Sequence, residues 1–599
     1  MCYNHISVQI DKLRKRETRL DNFLAGTRAD NLRDKKISIL IFSPFEHKMS
    51  LLALGALSIY HEINSCAQDY AWADRGFFYD FLFNKKGHLK KMFKNVEMIS
   101  FEQKIPIKDF DIIAYGMTCP GAIKDFAKFT ELAGIPLLRR NRTKMHPLII
   151  GGGPGFANPE PYGDLIDVFI TSERAENSVC KILKIIANHP EKSKEKLLLD
   201  LSRIEGVYVP DAYLHKYLDG RLRAIDRISK DNGVLKPIYP ISIKEYPHRF
   251  SSRIIGYKTG VLITNQGCRF RCAFCQLGTQ SLRNQSFKSI TKVIDEMFDN
   301  GIRTLIINSP SFTQFDRRND LLDYIRDKIN KRRRCSFQLY VGSVRIDELD
   351  SDYLKRLSSF SNINHTYLKY TNDHQNSFIA IGPEFGTNRL MRLMRKGLTC
   401  NKVLEGIKKA KNAGFINFHC YFILGIESET NKDRIAIVNL LRKMVDIAGK
   451  KSRFYLKINL FIPTVGTVGQ RMQMRSIKDY AKFIRVIELA IEQSFTREER
   501  ERINIIILGE ERLLLEALLM RGGRNVRPVL TEILTKHKEA PITDEEIRIM
   551  CGNNGMDFDN LLAGFPVEDT LPWKYASGVL VKEDDERLFL SNFRKKSCI

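Results

Sequence analysis

Long apolar runs are missing from this chain. None approaches the roughly eighteen residues that a bilayer-crossing helix requires. The longest, Leu51-Leu-Ala-Leu-Gly-Ala-Leu-Ser-Ile-Tyr60, has the length of a core helix. No apolar segment follows the charged start (Asp11, Lys12, Arg14, Lys15, Arg16, Glu17), so neither a secretory leader nor a membrane partner is expected. Cysteine is sparse, 12 in 599 residues and mostly isolated, which excludes a disulfide framework and leads us to expect a cytoplasmic protein. Acidic excess is absent too; the net charge is +26. That charge attracts polyanions and keeps RNA or DNA as an alternative partner. Yet the basic residues are spread along the chain. The densest runs, Arg139–Lys144 and Lys331–Arg334, fall where solvated helix-to-strand connections are expected.

One cluster breaks this pattern. Gly267-Cys268-Arg-Phe-Arg-Cys272-Ala-Phe274-Cys275 places three cysteines at C-x3-C-x2-C, directly after the strand-like run Gly260–Thr264. No fourth Cys or His follows at finger spacing, so the loop alone cannot close a tetrahedral structural zinc. Thiolates also hold iron–sulfur clusters, and three of them around a cubane leave one iron open.

A chain this long requires several domains. Residues 1–35 read as a polar helical lead-in. Strands are expected at Lys36–Ser43, Val96–Ser100, Phe110–Gly116, Pro147–Ile150 and Val168–Thr171, alternating with helices. That alternation makes a doubly wound parallel sheet over 36–190, whose ligand crevice lies at the carboxyl ends of its strands. Residues 191–250, with a hairpin expected around Asp219-Gly220 and prolines between Pro237 and Pro247, read as a linker or lid. Six further strands are expected from 251 to 470: Gly260–Thr264, Ile302–Asn308, Phe337–Ser343, Ser377–Glu384, Phe418–Gly425 and Tyr455–Phe461. Small and polar residues collect at their carboxyl ends, the catalytic face of such barrels. Residues 471–599 read as a helical cap.

The cysteine loop, with Phe274 just before its last cysteine, resembles the radical S-adenosylmethionine (SAM) superfamily. Gly382-Pro-Glu384, Phe422-Ile423-Leu-Gly425, Ser343-Val-Arg345 and the strand end at Ser309 resemble segments of its partial six-stranded TIM-type barrel. The resemblance implies a [4Fe–4S] cluster on Cys268, Cys272 and Cys275. It implies SAM contacts from Phe274, Ser309, Ser343, Arg345, Gly382, Glu384, Ile423 and Gly425, with Glu384 reaching the ribose hydroxyls or amino group. Reductive cleavage of SAM would then yield a 5′-deoxyadenosyl radical. This sequence carries Glu427 and Ser428 where the family has proline and glycine.

Ahead of the barrel, Gly151-Gly152-Gly153-Pro154 and Thr118 resemble the cobalamin-binding domain fused to many radical SAM proteins. With Ser172 and Glu173 they are the corrinoid contacts that this resemblance implies. No Asp-x-His-x-x-Gly occurs, so cobalamin would be bound without a histidine on cobalt, or not at all. The whole reading is of a methyltransferase acting on an unactivated carbon of a small molecule or peptide, served by a reductant such as flavodoxin or ferredoxin. A methylthiotransferase-like RNA modifier is the alternative, with Cys66, Cys119 and Cys180 holding a second cluster. A nucleic-acid-binding protein with a structural cluster is the alternative of another class.

Overall fold

The computed structural model describes residues 2–19, 37–84, 89–90, 93, 97–171, 175–190, 193–218, 221–228, 254–332, 337–342, 344–360, 363–364, 378–576 and 581–597. Ser172, Glu173, Ser343, the Asp219-Gly220 turn and the Pro237–Pro247 connector lie outside them.

The chain begins with helix α1 (Cys2–Arg14) and a short strand β1 (Glu17–Arg19). The first sheet then runs in the order β3-β2-β4-β5-β6-β7, from β2 (Ile37–Glu46), β3 (Ala71–Phe78), β4 (Ile112–Gly116), β5 (Leu148–Gly152), β6 (Val168–Ile170) and β7 (Val207–Tyr208). All pairs are parallel except the last. Helix α2 (Leu54–Cys66) connects β2 to β3, and α3 (Ile123–Leu132) connects β4 to β5.

The second expected strand is misplaced. The edge strand is Ala71–Phe78, whereas Ile99 makes only an isolated antiparallel bridge to Pro106. The cause is charge: β3 carries Asp74 and Arg75 at its centre, both buried, so no apolar run marks it. Their partners come from distant parts of the chain. Arg75 donates to Glu102 at 2.8 Å and to Glu17 at 2.6 Å.

A two-stranded ladder, β8 (Tyr213–Leu218) with β9 (Arg221–Arg227), leads to the second βα region. There β10 (Ile254–Gly256) turns back against β11 (Thr259–Leu262). A small ladder, β12 (Asn265–Gln266) with β13 (Arg283–Asn284), brackets the cysteine loop. Next come β14 (Thr304–Ile307), β15 (Gln338–Val341), β16 (Ile363–Asn364), β17 (Phe378–Glu384), β18 (Asn417–Leu424), β19 (Arg453–Leu460) and β20 (Ile503–Ile507). They form two sheets, β1-β10-β11-β14-β15-β16 and β17-β18-β19-β20, joined by a parallel bridge from Val344 to Ile381.

All six strands expected from 251 to 470 are present, and β10, β16 and the two strands β1 and β20 were not expected. β1, inside the stretch read as a helical lead-in, pairs antiparallel with β10. β20, inside the stretch read as a helical cap, extends the other edge in parallel register with β19. β1, at three residues, is too short for period-2 alternation to announce it, and Ile503-Asn-Ile-Ile-Ile507 alternates over only its first three residues.

The C-terminal helices also cover the first sheet. In α4 (Glu510–Arg521), Arg512 packs against Gly121. The Asn158 amide donates to the carbonyls of Leu519 (2.9 Å) and Gly522 (2.7 Å). Glu160, fully buried, accepts from Arg524 (2.7 Å), Arg527 (3.2 Å) and the Tyr208 hydroxyl. Glu160→Ala removes the carboxylate from Arg524 and leaves Arg527 with that of Asp164 alone. We expect it to cost about 2–3 kcal/mol and to expose 520–540 to limited proteolysis before the rest of the chain.

Candidate active site

The cysteine loop lies across the carboxyl ends of the barrel strands, held there by backbone. The Cys268 N–H donates to the Gln280 carbonyl (3.2 Å), the Ala273 N–H to Met394 (2.9 Å) and the Gly469 N–H to Ala273 (3.1 Å). The loop is therefore stitched to segments that follow β17 and β19. Gly267 has φ +69°, and a side chain there would run into the backbone of Ser281. All three thiols are partly buried. Gln314 donates its amide to the Cys268 sulfur at 3.3 Å and accepts from the Arg269 N–H at 3.0 Å, a link that sequence reasoning missed.

Burial pushes the Cys272 thiol up to about 11, with Lys396 pulling against it, and burial raises Cys275 as well. Cys268 and Cys272 each interact electrostatically with Cys275. Three such sulfurs ionise together only against positive charge. Their donor set therefore fits an iron–sulfur cluster, which takes each thiolate on a different iron. Among the described residues, no three His, Cys, Asp or Glu side chains close around a single ion.

Glu384 stands beside the loop. It ends β17 after a register shift and takes φ +66°, a left-handed conformation costly for a glutamate and often found at functional sites. Its partner is Lys396, at 3.1 Å. Arg345 is engaged elsewhere. It pairs with Asp347 (2.8 Å), donates to the carbonyls of Lys396 (2.8 Å) and Gly397 (3.0 Å), and lies 3.4 Å over the Phe270 ring. Phe274 packs edge-on to Phe385 with its ring 5.8 Å from the Lys396 ammonium, while Gly382 abuts the Glu384 carboxylate.

Ser309 sits deeper, its hydroxyl receiving the Thr264 N–H at 2.7 Å. Ile423 lies on the partly exposed face of β18. Gly425, at φ +87°, donates its N–H to Glu429 at 2.6 Å. Glu429 is raised to about 7 by burial, against the pull of Arg434 at 3.2 Å. The turn at Glu427 and Ser428 keeps its shape through Arg475 and Arg389, which donate to its carbonyls at 2.9 and 3.0 Å.

The rim of the first sheet divides its glycines. Gly151 is packed among Ile166, Phe156 and Phe169 and belongs to the core. Gly153, at φ +100°, abuts the Met117 carbonyl. Gly116 and Gly152 have room where a Cβ would stand, and Gly153, Pro154 and Thr118 are exposed. This open backbone fits close approach by a large ligand. His47 follows β2 at the same end of the sheet, but both its ring nitrogens are engaged, by Glu17 at 2.7 Å and the Tyr257 hydroxyl at 2.9 Å.

Cys66, Cys119 and Cys180 do not converge. Cys66 and Cys180 both act on Tyr70, at the amino end of β3, whereas Cys119 follows the carboxyl end of β4 beside Arg512 and Glu516.

A family model described as "Radical SAM superfamily" matches residues 262–441, and one described as "Radical SAM proteins, N-terminal" matches 55–210. The chain belongs to the radical SAM superfamily. The two matches together span more than half of this radical SAM protein. It is 24% identical over 448 residues to the uncharacterized protein MJ0966 of Methanocaldococcus jannaschii, covering 73% of this chain and 83% of that one. With the uncharacterized methyltransferase PH0819 of Pyrococcus horikoshii it shares 24% identity over 193 residues, 32% of this chain and 38% of that one. Among solved structures it is similar to the radical SAM methyltransferase TsrM from Kitasatospora setae, with cobalamin and a [4Fe–4S] cluster bound. There the identity is 12%, the coverage 84% of this chain and 100% of TsrM, and the TM-score 0.49. Among the described residues of this radical SAM protein, no helix is long and apolar enough to cross a membrane.

Proposed function

We propose that this radical SAM enzyme is a cobalamin-assisted methyltransferase acting on an unactivated carbon. Cys268, Cys272 and Cys275 would hold the cluster, and the carboxyl rim of the first sheet would hold the corrinoid. One observation carries the proposal: the barrel interior and that rim share a wall. Lys457, in the barrel strand β19, and Cys119, at the rim, both feel the charges of Arg512 and Glu516 on α4. A substrate inside the barrel would thus lie within reach of both cofactor sites.

When bound, the cluster, SAM and corrinoid supply reductive cleavage of a sulfonium and a methyl carrier, and the chain positions them. Glu384, held by Lys396, would receive the ribose hydroxyls or the amino group of SAM. Gln314 orients the Cys268 sulfur. Leu52 and Leu54 pack against Val261, Ile263, Ile306 and Tyr340 and keep water from that side of the barrel. An external reductant is required, as for radical SAM enzymes generally.

Anaerobic purification with cobalamin supplied, followed by metal analysis, tests the reading. We expect about four irons per chain and close to one cobalt. Iron without cobalt would remove the methyl-carrier step and leave SAM cleavage standing. About eight irons would favour the methylthiotransferase alternative, which the separation of Cys66 and Cys180 from Cys119 disfavours. Glu384→Ala removes a charge-assisted contact worth about 1.5–3 kcal/mol. It should weaken SAM binding by roughly ten- to a hundredfold while leaving the cluster absorption unchanged.

A further inference from the structure

Among the described residues, the inner wall of the barrel contains a lysine without an ion pair of its own. In β19, Leu456 and Ile458 are buried and face outward, where Tyr480 of the covering helix donates its hydroxyl to the Ile458 carbonyl at 2.6 Å. The alternate residues Tyr455, Lys457 and Asn459 therefore face inward. They stand in register with His419, Tyr421 and Ile423 of β18. Lys457 is half-buried, and its ammonium lies 5.8 Å from the Tyr421 ring. Among the described residues it makes no ion pair or hydrogen bond. Two positions lower, the half-buried His419 packs against the buried rings of Phe378 and Tyr455, with centroid separations of 5.1 Å (Phe378–His419) and 4.8 Å (His419–Tyr455). The buried Nε2 of His419 has no partner.

The charges that act on Lys457 are Arg512 and Glu516, which pair with each other at 2.9 Å. Glu516 is thus shared with Arg512, and Lys457 has no carboxylate to itself. A half-buried ammonium in that setting is costly, and an anion brought to it recovers the cost. One carboxylate matches this ammonium in charge; a phosphate dianion exceeds it.

We propose that Lys457 receives a carboxylate of the substrate, so that the enzyme acts on a monocarboxylate whose apolar part lies against His419. This rests on the radical SAM reading only in placing the substrate inside the barrel. The carboxylate that acts on Lys457, Glu516, is taken by Arg512.

The test uses the anaerobically reconstituted full chain with phenylacetate as probe, read by saturation-transfer NMR. Phenylacetate should bind, phenylacetamide at least tenfold more weakly, and Lys457→Met should weaken phenylacetate at least tenfold while Lys457→Arg retains it. A fold-independent measurement on the wild type accompanies these: trace acetylation of Lys457, read by peptide mass spectrometry, should fall at least threefold with phenylacetate. Equal binding of the amide, equal binding by Lys457→Met, or unchanged acetylation would overturn the assignment. Displacement of phenylacetate by inorganic phosphate at lower concentration than by acetate would overturn it in favour of a phosphoryl ligand. Loss of SAM cleavage in Cys272→Ala reports separately on the radical SAM reading, so the two can fail independently.

Discussion

Cys272→Ala is expected to abolish the cluster: iron falls from about four per chain to a trace, the broad absorption near 400 nm disappears, and SAM cleavage drops to background. Two thiolates remain on a loop whose backbone anchors at Gln280, Met394 and Gly469 cannot bring a third donor in. Cys420→Ala is the control. Its sulfur is fully buried on the outward face of β18, so the substitution costs packing and should leave the iron content unchanged. A full cluster retained in Cys272→Ala would sink the ligand assignment, whatever the activity.

Arg75→Met should give the largest loss of stability, about 3–5 kcal/mol. The guanidinium is almost completely buried between Glu17 and Glu102 and lies over the rings of Phe101 and Tyr60, at 4.9 and 5.5 Å. Removing it leaves two buried carboxylates without their shared guanidinium, Glu17 keeping only His47, which costs far more than an exposed ion pair is worth. The damage should also be directional. Glu17 lies on β1, at the barrel edge, whereas Arg75 and Glu102 belong to the first sheet and its connections, so the variant loosens the one from the other. Hydrogen exchange should rise at residues 17–19 and 254–257 before it rises in the strands from β17 to β20. An unchanged urea midpoint with no such exchange would refute this account.

The same pair sets a pH dependence. Burial alone would raise Glu17, but Arg75 and His47 outweigh it and hold the carboxyl below the ordinary value of 4.5. Its folded value is depressed, so its contribution is complete above about pH 4.5 and is lost as pH falls through the folded value. Glu17→Gln should flatten the acid limb of the stability profile and lower stability at neutral pH.

The cysteine spacing singled out the loop after β12, because three thiols on one short turn are a local property that eight residues carry by themselves. Apolar runs between turn residues likewise revealed four of the six strands of the first sheet and all six expected barrel strands. The remaining features were decided by contacts between residues far apart in sequence. β3 hides behind Asp74 and Arg75, because a strand with a charged centre is stable only once Glu17 and Glu102 reach it. β1 and β20 are strands because sheet edges offer them unpaired backbone. Lys457 reads as an ordinary strand lysine until the alternation of β19 turns it inward and Arg512 occupies the carboxylate that would have paired with it. Charge compensation and facing depend on which side chains meet across the fold, and only the tertiary structure brings them together.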